Sequence, residues 1–221
     1  MTYTGEVSPG GPPDVRELKA LTITKVAVDP KMSNNCYILT CHATGRQLLI
    51  DAADEPATIL PLVTDLEAVV TTHQHWDHHR ALAEVVAATG ATTMAGADDA
   101  LSISEQTSVP IRRLLVDGDS VSFGHVELEV IGLRGHTPGS IALFYNHPAD
   151  GRHLFTGDSL FPGGVGNTFG DAESFQLLLG DVESRIFDRL PDDTWFYPGH
   201  GNDSTLGAER PHLAEWRERG W

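Results

Sequence analysis

The chain has 221 residues, 31 of them acidic against 15 basic, for a net charge of −16. That balance argues against gripping nucleic-acid phosphates, which relies on lysine and arginine displacing counterions, and no basic cluster longer than a pair appears. A hydrophobic content of 40% suits a soluble globular protein, and nothing approaches the roughly 18 continuous apolar residues of a membrane span.

The opening "MTYTGEVSPGGPPDV" has neither the cationic start nor the apolar run of a signal peptide. We read residues 1–18 as an arm, residues 19–221 as one domain with a short C-terminal helix, and the location as cytoplasmic, with no membrane partner. Three strand-like runs follow the arm: "LTITKVAV", "NNCYILTCH" and "RQLLIDAA", the last two joined by a turn at Ala43–Gly45. Cys36 and Cys41 lie five apart on one strand, which points them to opposite faces, so they are read as reduced and partly buried. "EPATILPLV" predicts a short helix and "EAVVTT" an apolar strand, after which "RALAEVVAAT" predicts a helix stopped by Gly90. The second half repeats the rhythm: strands at "RRLLV", "SVSF", "VELEVIGL", "SIALFYN" and "HLFTGD", then a helical stripe from Glu173 to Leu190. One more strand, "DTWFYPGHG", closes the pattern. The expected class is α/β: two mixed sheets packed face to face with helices outside.

Four polar clusters follow strand-like runs. His73, His75, Asp77 and His78 come after "EAVVTT"; His136 lies in "RGHTPGS", Asp158 in "FTGDSLF" and His200 in "YPGHG". Strand ends on one rim bring such residues together across long gaps, and flanking glycines permit the tight turns. Imidazole and carboxylate are donors suited to zinc and neighbouring first-row metals. Five histidines and two aspartates exceed the needs of one tetrahedral ion and suffice for two sharing Asp158. His79 is left out because it begins the helix, and His42, His125, His147, His153 and His212 are read as structural, as is Ser140.

"THQHWDHH", "GHTPGSI", "FTGDSLF" and "YPGHG", in this order, resemble the motifs of the metallo-β-lactamase-fold hydrolases, and most closely the glyoxalase II-like (hydroxyacylglutathione hydrolase-like) branch, over about residues 21–211. The resemblance implies an αββα sandwich with two divalent ions, zinc first and iron or manganese as alternatives. It assigns His73, His75 and His136 to one ion, Asp77, His78 and His200 to the other, and Asp158 to both. It further implies hydrolysis of an acyl thioester of a small thiol by a hydroxide bridging the ions, with Asp77 and Asp158 as the catalytic carboxylates. Asn167 and Phe169 face the substrate by the same pattern. Asn167 stands where many relatives carry Lys or Arg, which argues against anionic glutathione as the carrier. Only 21 residues follow His200, so the helical C-terminal domain of many relatives is expected to be absent. The alternatives are lactone or ester hydrolysis, and persulfide dioxygenation with one iron held by two His and one Asp. A homodimer is left open.

Overall fold

The computed structural model describes residues 2–220. The first seven strands, β1 (Asp14–Glu17), β2 (Leu21–Val28), β3 (Asn34–Cys41), β4 (Gln47–Ile50), β5 (Leu66–Thr71), β6 (Thr92–Gly96) and β7 (Arg113–Leu115), form one sheet in chain order. Its first four strands are antiparallel and its last four parallel. The parallel half is reached through three helices, α1 (Pro56–Ile59), α2 (Leu82–Thr89) and α3 (Ala100–Thr107). The second sheet contains β8 (Ser120–Phe123), β9 (Val126–Gly132), β10 (Ile141–His147) and β11 (Gly151–Gly157). A small hairpin follows, β12 (Leu160–Phe161) and β13 (Gly164–Val165), then α4 (Ala172–Val182). The chain returns to the second sheet with β14 (Trp195–Pro198) and β15 (Ser204–Thr205), and α5 (Leu206–Glu209) and α6 (Leu213–Arg219) follow. The sheet order is β15-β14-β11-β10-β9-β8, with β11 and β14 the parallel pair.

Alternation along the strands sorts the apolar residues into three layers. Leu21, Ile23, Tyr37, Leu39 and Ile50 meet Val121, Leu128, Leu143 and Phe155 between the sheets. On the other face of the first sheet, Val26, Ile38 and Val69 bury Ile59, Leu82, Val85 and Ile103 of α1–α3. On the outer face of the second, Ile131, Phe144 and Phe196 bury Phe175, Leu178 and Val182 of α4 and Trp216 of α6. Each such side chain contributes about 1.5–3 kcal/mol on burial. The result is the αββα sandwich. Cys36 and Cys41 are free, one in the outer layer and one between the sheets.

Three details depart from the sequence reading. The arm ends in an edge strand, β1, whose "DVRE" is only half-buried and has no apolar alternation to announce it. β6 and α3 lie in "TTMAG" and "ALSISEQT", where small and polar residues mute both periods. The stripe from Glu173 is α4 followed by a turn of π-helix over Glu183–Phe187. No described helix is long and apolar enough to cross a membrane.

Candidate metal centre

The strand ends on one rim deliver the polar clusters. Beyond β5, His75 is extended (φ −70, ψ 134) and a single 3-10 turn over Trp76–His78 tucks Asp77 and His78 inward. His136 follows β9, Asp158 follows β11 and His200 follows β14. All seven side chains converge. Their donor atoms fall into three sets within 4.8 Å: His73, His75 and His136; His73, His78 and Asp158; Asp77, His78 and His200. Asp158 lies 3.4 Å from His78 Nε2 through one oxygen, and 3.4 Å from His200 Nε2 and 3.7 Å from His136 Nε2 through the other. Gly199 makes room for it, since a Cβ there would stand 2.2 Å from Asp158 Oδ1.

The residues fit divalent cations on chemical grounds. His75 Nδ1 and His136 Nε2 are 2.9 Å apart, and His78 Nε2 and His200 Nε2 3.2 Å apart. Facing imidazole nitrogens need a proton or a cation between them, because two lone pairs cannot satisfy each other. His73 Nε2 and Asp158 Oδ1 are buried without a hydrogen-bond partner, each an arrangement that costs about 1–3 kcal/mol in the absence of a ligand. Burial, and then His78, push His73 well below the ordinary imidazole range. Burial opposes charge on Asp158, but His78, His200 and His73 together outweigh it and hold the carboxyl well below its usual range. A neutral imidazole and an ionised carboxylate are the forms that bind metal. His78 moves the other way: burial opposes its charge, and Asp158 and Asp51 outweigh that. The acids of the site thus call for positive charge at this point, which a bound cation would supply.

A second ring of contacts, missed in the sequence, aims these groups. Asp51 Oδ2 holds His78 Nδ1 (2.9 Å) and its other oxygen accepts from the Thr72 amide (2.7 Å). The Met32 carbonyl holds His200 Nδ1 (2.9 Å) and the Asn167 carbonyl His136 Nδ1 (2.7 Å). Asn34, fully buried, donates to Asp77 Oδ2 at 2.9 Å. Asp99 accepts from the amides of Gln74 and Gly139, tying the loop of His73 to that of His136. Asp51 carries a usable signal, an acid ending the apolar run "LLID" as Asp158 ends "HLFTGD". Asn34 and the carbonyls carry none.

Of the two residues read as substrate-facing, Asn167 turns its Oδ1 to the amide of Phe169 (2.7 Å). That bond supports the left-handed backbone of Phe169 (φ 57°), a residue 70% exposed whose ring lies edge-on to His75 and is inclined 27° to His136. One groove lies on the His136 side, lined by Arg134, Thr168, Phe169 and Leu177; another lies on the His200 side, lined by Met32, Phe161, Val165 and Asn167. The tail cations Arg210 and Arg217 are engaged elsewhere, with Asp192 and Glu183. His79 bonds the Gln74 carbonyl, and Ser140 is buried against Thr137.

The family model for the metallo-beta-lactamase superfamily matches residues 29–200. A probable hydroxyacylglutathione hydrolase of Schizosaccharomyces pombe is 30% identical over 76% of this chain, which spans 64% of that relative's length. Among solved structures, a di-iron-bound form of TTHA1623 is 30% identical, with a TM-score of 0.70 over 84% of this chain and 96% of that one. ETHE1 from Myxococcus xanthus is 26% identical, with a TM-score of 0.73 over 89% and 84%.

Proposed function

Because the chain belongs to the metallo-beta-lactamase superfamily, we propose that it is a metal-dependent hydrolase that cleaves the acyl thioester of a small thiol with water. The observation that carries the reading is the convergence of five imidazoles and two carboxylates in three overlapping donor sets, with His73 Nε2 and Asp158 Oδ1 left without a hydrogen-bond partner. The hydroxyacylglutathione hydrolases among its relatives support the reaction class. His73, His75 and His136 would hold one divalent ion, Asp77, His78 and His200 a second, and Asp158 both, with zinc the first choice.

Such ions, when bound, lower the pKa of water and polarise a carbonyl oxygen. The protein's own part is orientation. Asp51, Met32, Asn167 and Thr72 fix which imidazole nitrogen faces inward. Burial opposes charge on Asp77, but His200 and His78 outweigh it and hold the carboxyl far below its usual range. Asp77, fixed by Asn34 at 2.9 Å, is placed to turn the attacking water. A thiol pKa of about 8.5 lets the leaving group depart as thiolate without a strong acid. Ser140, buried on Thr137, is no nucleophile.

The test is a turnover panel of thioesters, lactones and persulfides on metal-analysed protein. Thioester hydrolysis should be lost on chelation, return with zinc, iron or manganese, and persist without oxygen. A second reading, an oxidoreductase with one iron, is favoured by the group of two His and one Asp, His73, His78 and Asp158. Turnover confined to persulfides with oxygen consumed would establish it instead. Glutathione thioesters should bind weakly, because Asn167 offers no charge; an exposed ion pair is worth only about 0.2–1 kcal/mol. Asn167→Arg should therefore lower KM for lactoylglutathione by a few-fold and leave a neutral thioester unchanged.

A further inference from the structure

The groove on the His200 side is a cavity of about 510 Å³ that opens directly onto the site, since His200 forms part of its wall. Met32, Phe161, Pro162 and Val165 supply side chains to it, and the Phe161 ring lies 6.4 Å from the His200 ring. One wall is the β12–β13 hairpin, in which Leu160 pairs with Val165 and Phe161 with Gly164. Arg219 also lines the groove, its guanidinium turned to the Gly163 carbonyl, and most of the polar groups along the lining are already bonded within the protein. At the hairpin tip the Gly163 amide donates to Glu209 (2.8 Å) and its carbonyl accepts from Arg219 (2.9 Å). The Met32 carbonyl is taken by His200, the Asn167 carbonyl by His136, and Asn167 Oδ1 by Phe169. Met32 is nevertheless 43% exposed beside the buried site. A polar ligand entering here gives up water and finds few groups to replace it, whereas a hydrocarbon loses nothing.

We infer that this groove binds an uncharged hydrocarbon arm of the substrate, several carbons long, while the scissile bond lies beside His200. The inference rests on the hydrolase reading for the bond that is cut, and it separates this protein from one tuned to a small hydroxyacyl group on an anionic carrier.

The test uses metal-loaded, full-length protein and two series of neutral thioesters. One runs from acetyl to hexanoyl on N-acetylcysteamine, the other from acetyl esters of ethanethiol to those of hexanethiol. Along one series kcat/KM should climb about two- to fourfold per methylene, and the series that climbs identifies the arm. Phe161→Ser should flatten the climb, whereas Leu177→Ser, in the opposite groove, should preserve it. Flat series, or a climb that survives Phe161→Ser, overturn the inference while leaving hydrolysis standing. Binding of the uncleavable S-ethyl and S-hexyl thioethers of N-acetylcysteamine, followed by calorimetry, separates the two claims. A Phe161-dependent preference for the hexyl ligand of tenfold or more, in protein that cleaves no thioester, upholds the groove and sinks the hydrolase reading. Equal affinities for the two ligands count against the groove.

Discussion

At the scale of single residues, the ligand candidates are readable because metal chemistry demands particular atoms at strand ends, and His73, His75, Asp77 and His78 cannot easily be explained as packing. Their aiming partners are less readable, because a carbonyl such as that of Asn167 or Met32 has no side-chain signature. Asp51 makes the point testable. Asp51→Ala removes the acceptor that holds His78 Nδ1 and should weaken metal binding by about 10–100-fold, measured by chelator competition. Unchanged affinity in a folded variant would show that His78 needs no aiming. His153, read from the sequence as structural, yields a pH prediction. It is buried, with Nδ1 on the Tyr197 hydroxyl (2.8 Å) and Nε2 on the Asp150 carbonyl (3.0 Å). Arg16 donates to that hydroxyl, so Tyr197 donates to Nδ1 and the neutral Nε2–H tautomer fits. Burial lowers its pKa from 6.5 to about 4. The unfolded chain therefore binds this proton first as pH falls, and the folded state loses stability from pH 6.5 down to about 4. His153→Gln should make urea midpoints fall less steeply than wild type over that window; parallel curves would refute the assignment.

At the scale of elements, strands with clear alternation or a long apolar run were legible and those with neither were not. β2 and β3 are buried on both faces over most of their length, and their apolar runs show plainly. β1 is held by its ladder to β2 and by contacts the sequence cannot display, and β6 is a five-residue parallel strand with two threonines and a glycine, set between β5 and the short edge strand β7. The least legible device is Lys25, which sits fully buried in β2 where the pattern calls for an apolar residue. Its Nζ meets Asp203 (2.7 Å) and the carbonyls of Gly5 and Gly201, and Tyr3 donates to the same Asp203. The cluster pins both the arm and the segment just beyond His200. Burial lowers the Lys25 pKa and raises that of Asp203, each outweighing the partner's opposite pull. The pair's net worth is thus small although breaking it is costly. Lys25→Met, which strands a buried carboxylate, should destabilise by about 3–5 kcal/mol. Lys25→Met/Asp203→Asn should recover more than half of that loss in the same urea titration. A double variant no better than the single would show that the lysine acts through packing alone.

At the scale of the whole molecule, the candidate ligands divide between the sheets. His73, His75, Asp77 and His78 follow β5 of the first sheet, whereas His136, Asp158 and His200 follow strands of the second. Ions shared between them would fasten the two layers at the rim, where the inter-sheet core ends. They would also offset four of the sixteen excess negative charges, which repel one another over a Debye length of about 8 Å at physiological salt. Removing them should therefore cost stability in two separable ways. Mass action predicts about 4 kcal/mol when free metal stands a thousandfold above its dissociation constant. For a chain of this size that corresponds to a fall in Tm of about 8–16 °C. The electrostatic part should be recovered in moderate salt, which screens the carboxylates, whereas the cross-linking part should not. The measurement is calorimetric melting of loaded and chelated protein, each at low and moderate ionic strength. A Tm indifferent to chelation would mean that the rim is held by protein contacts alone. A loss erased entirely by salt would reduce the ions to counter-charges, with no role in joining the sheets.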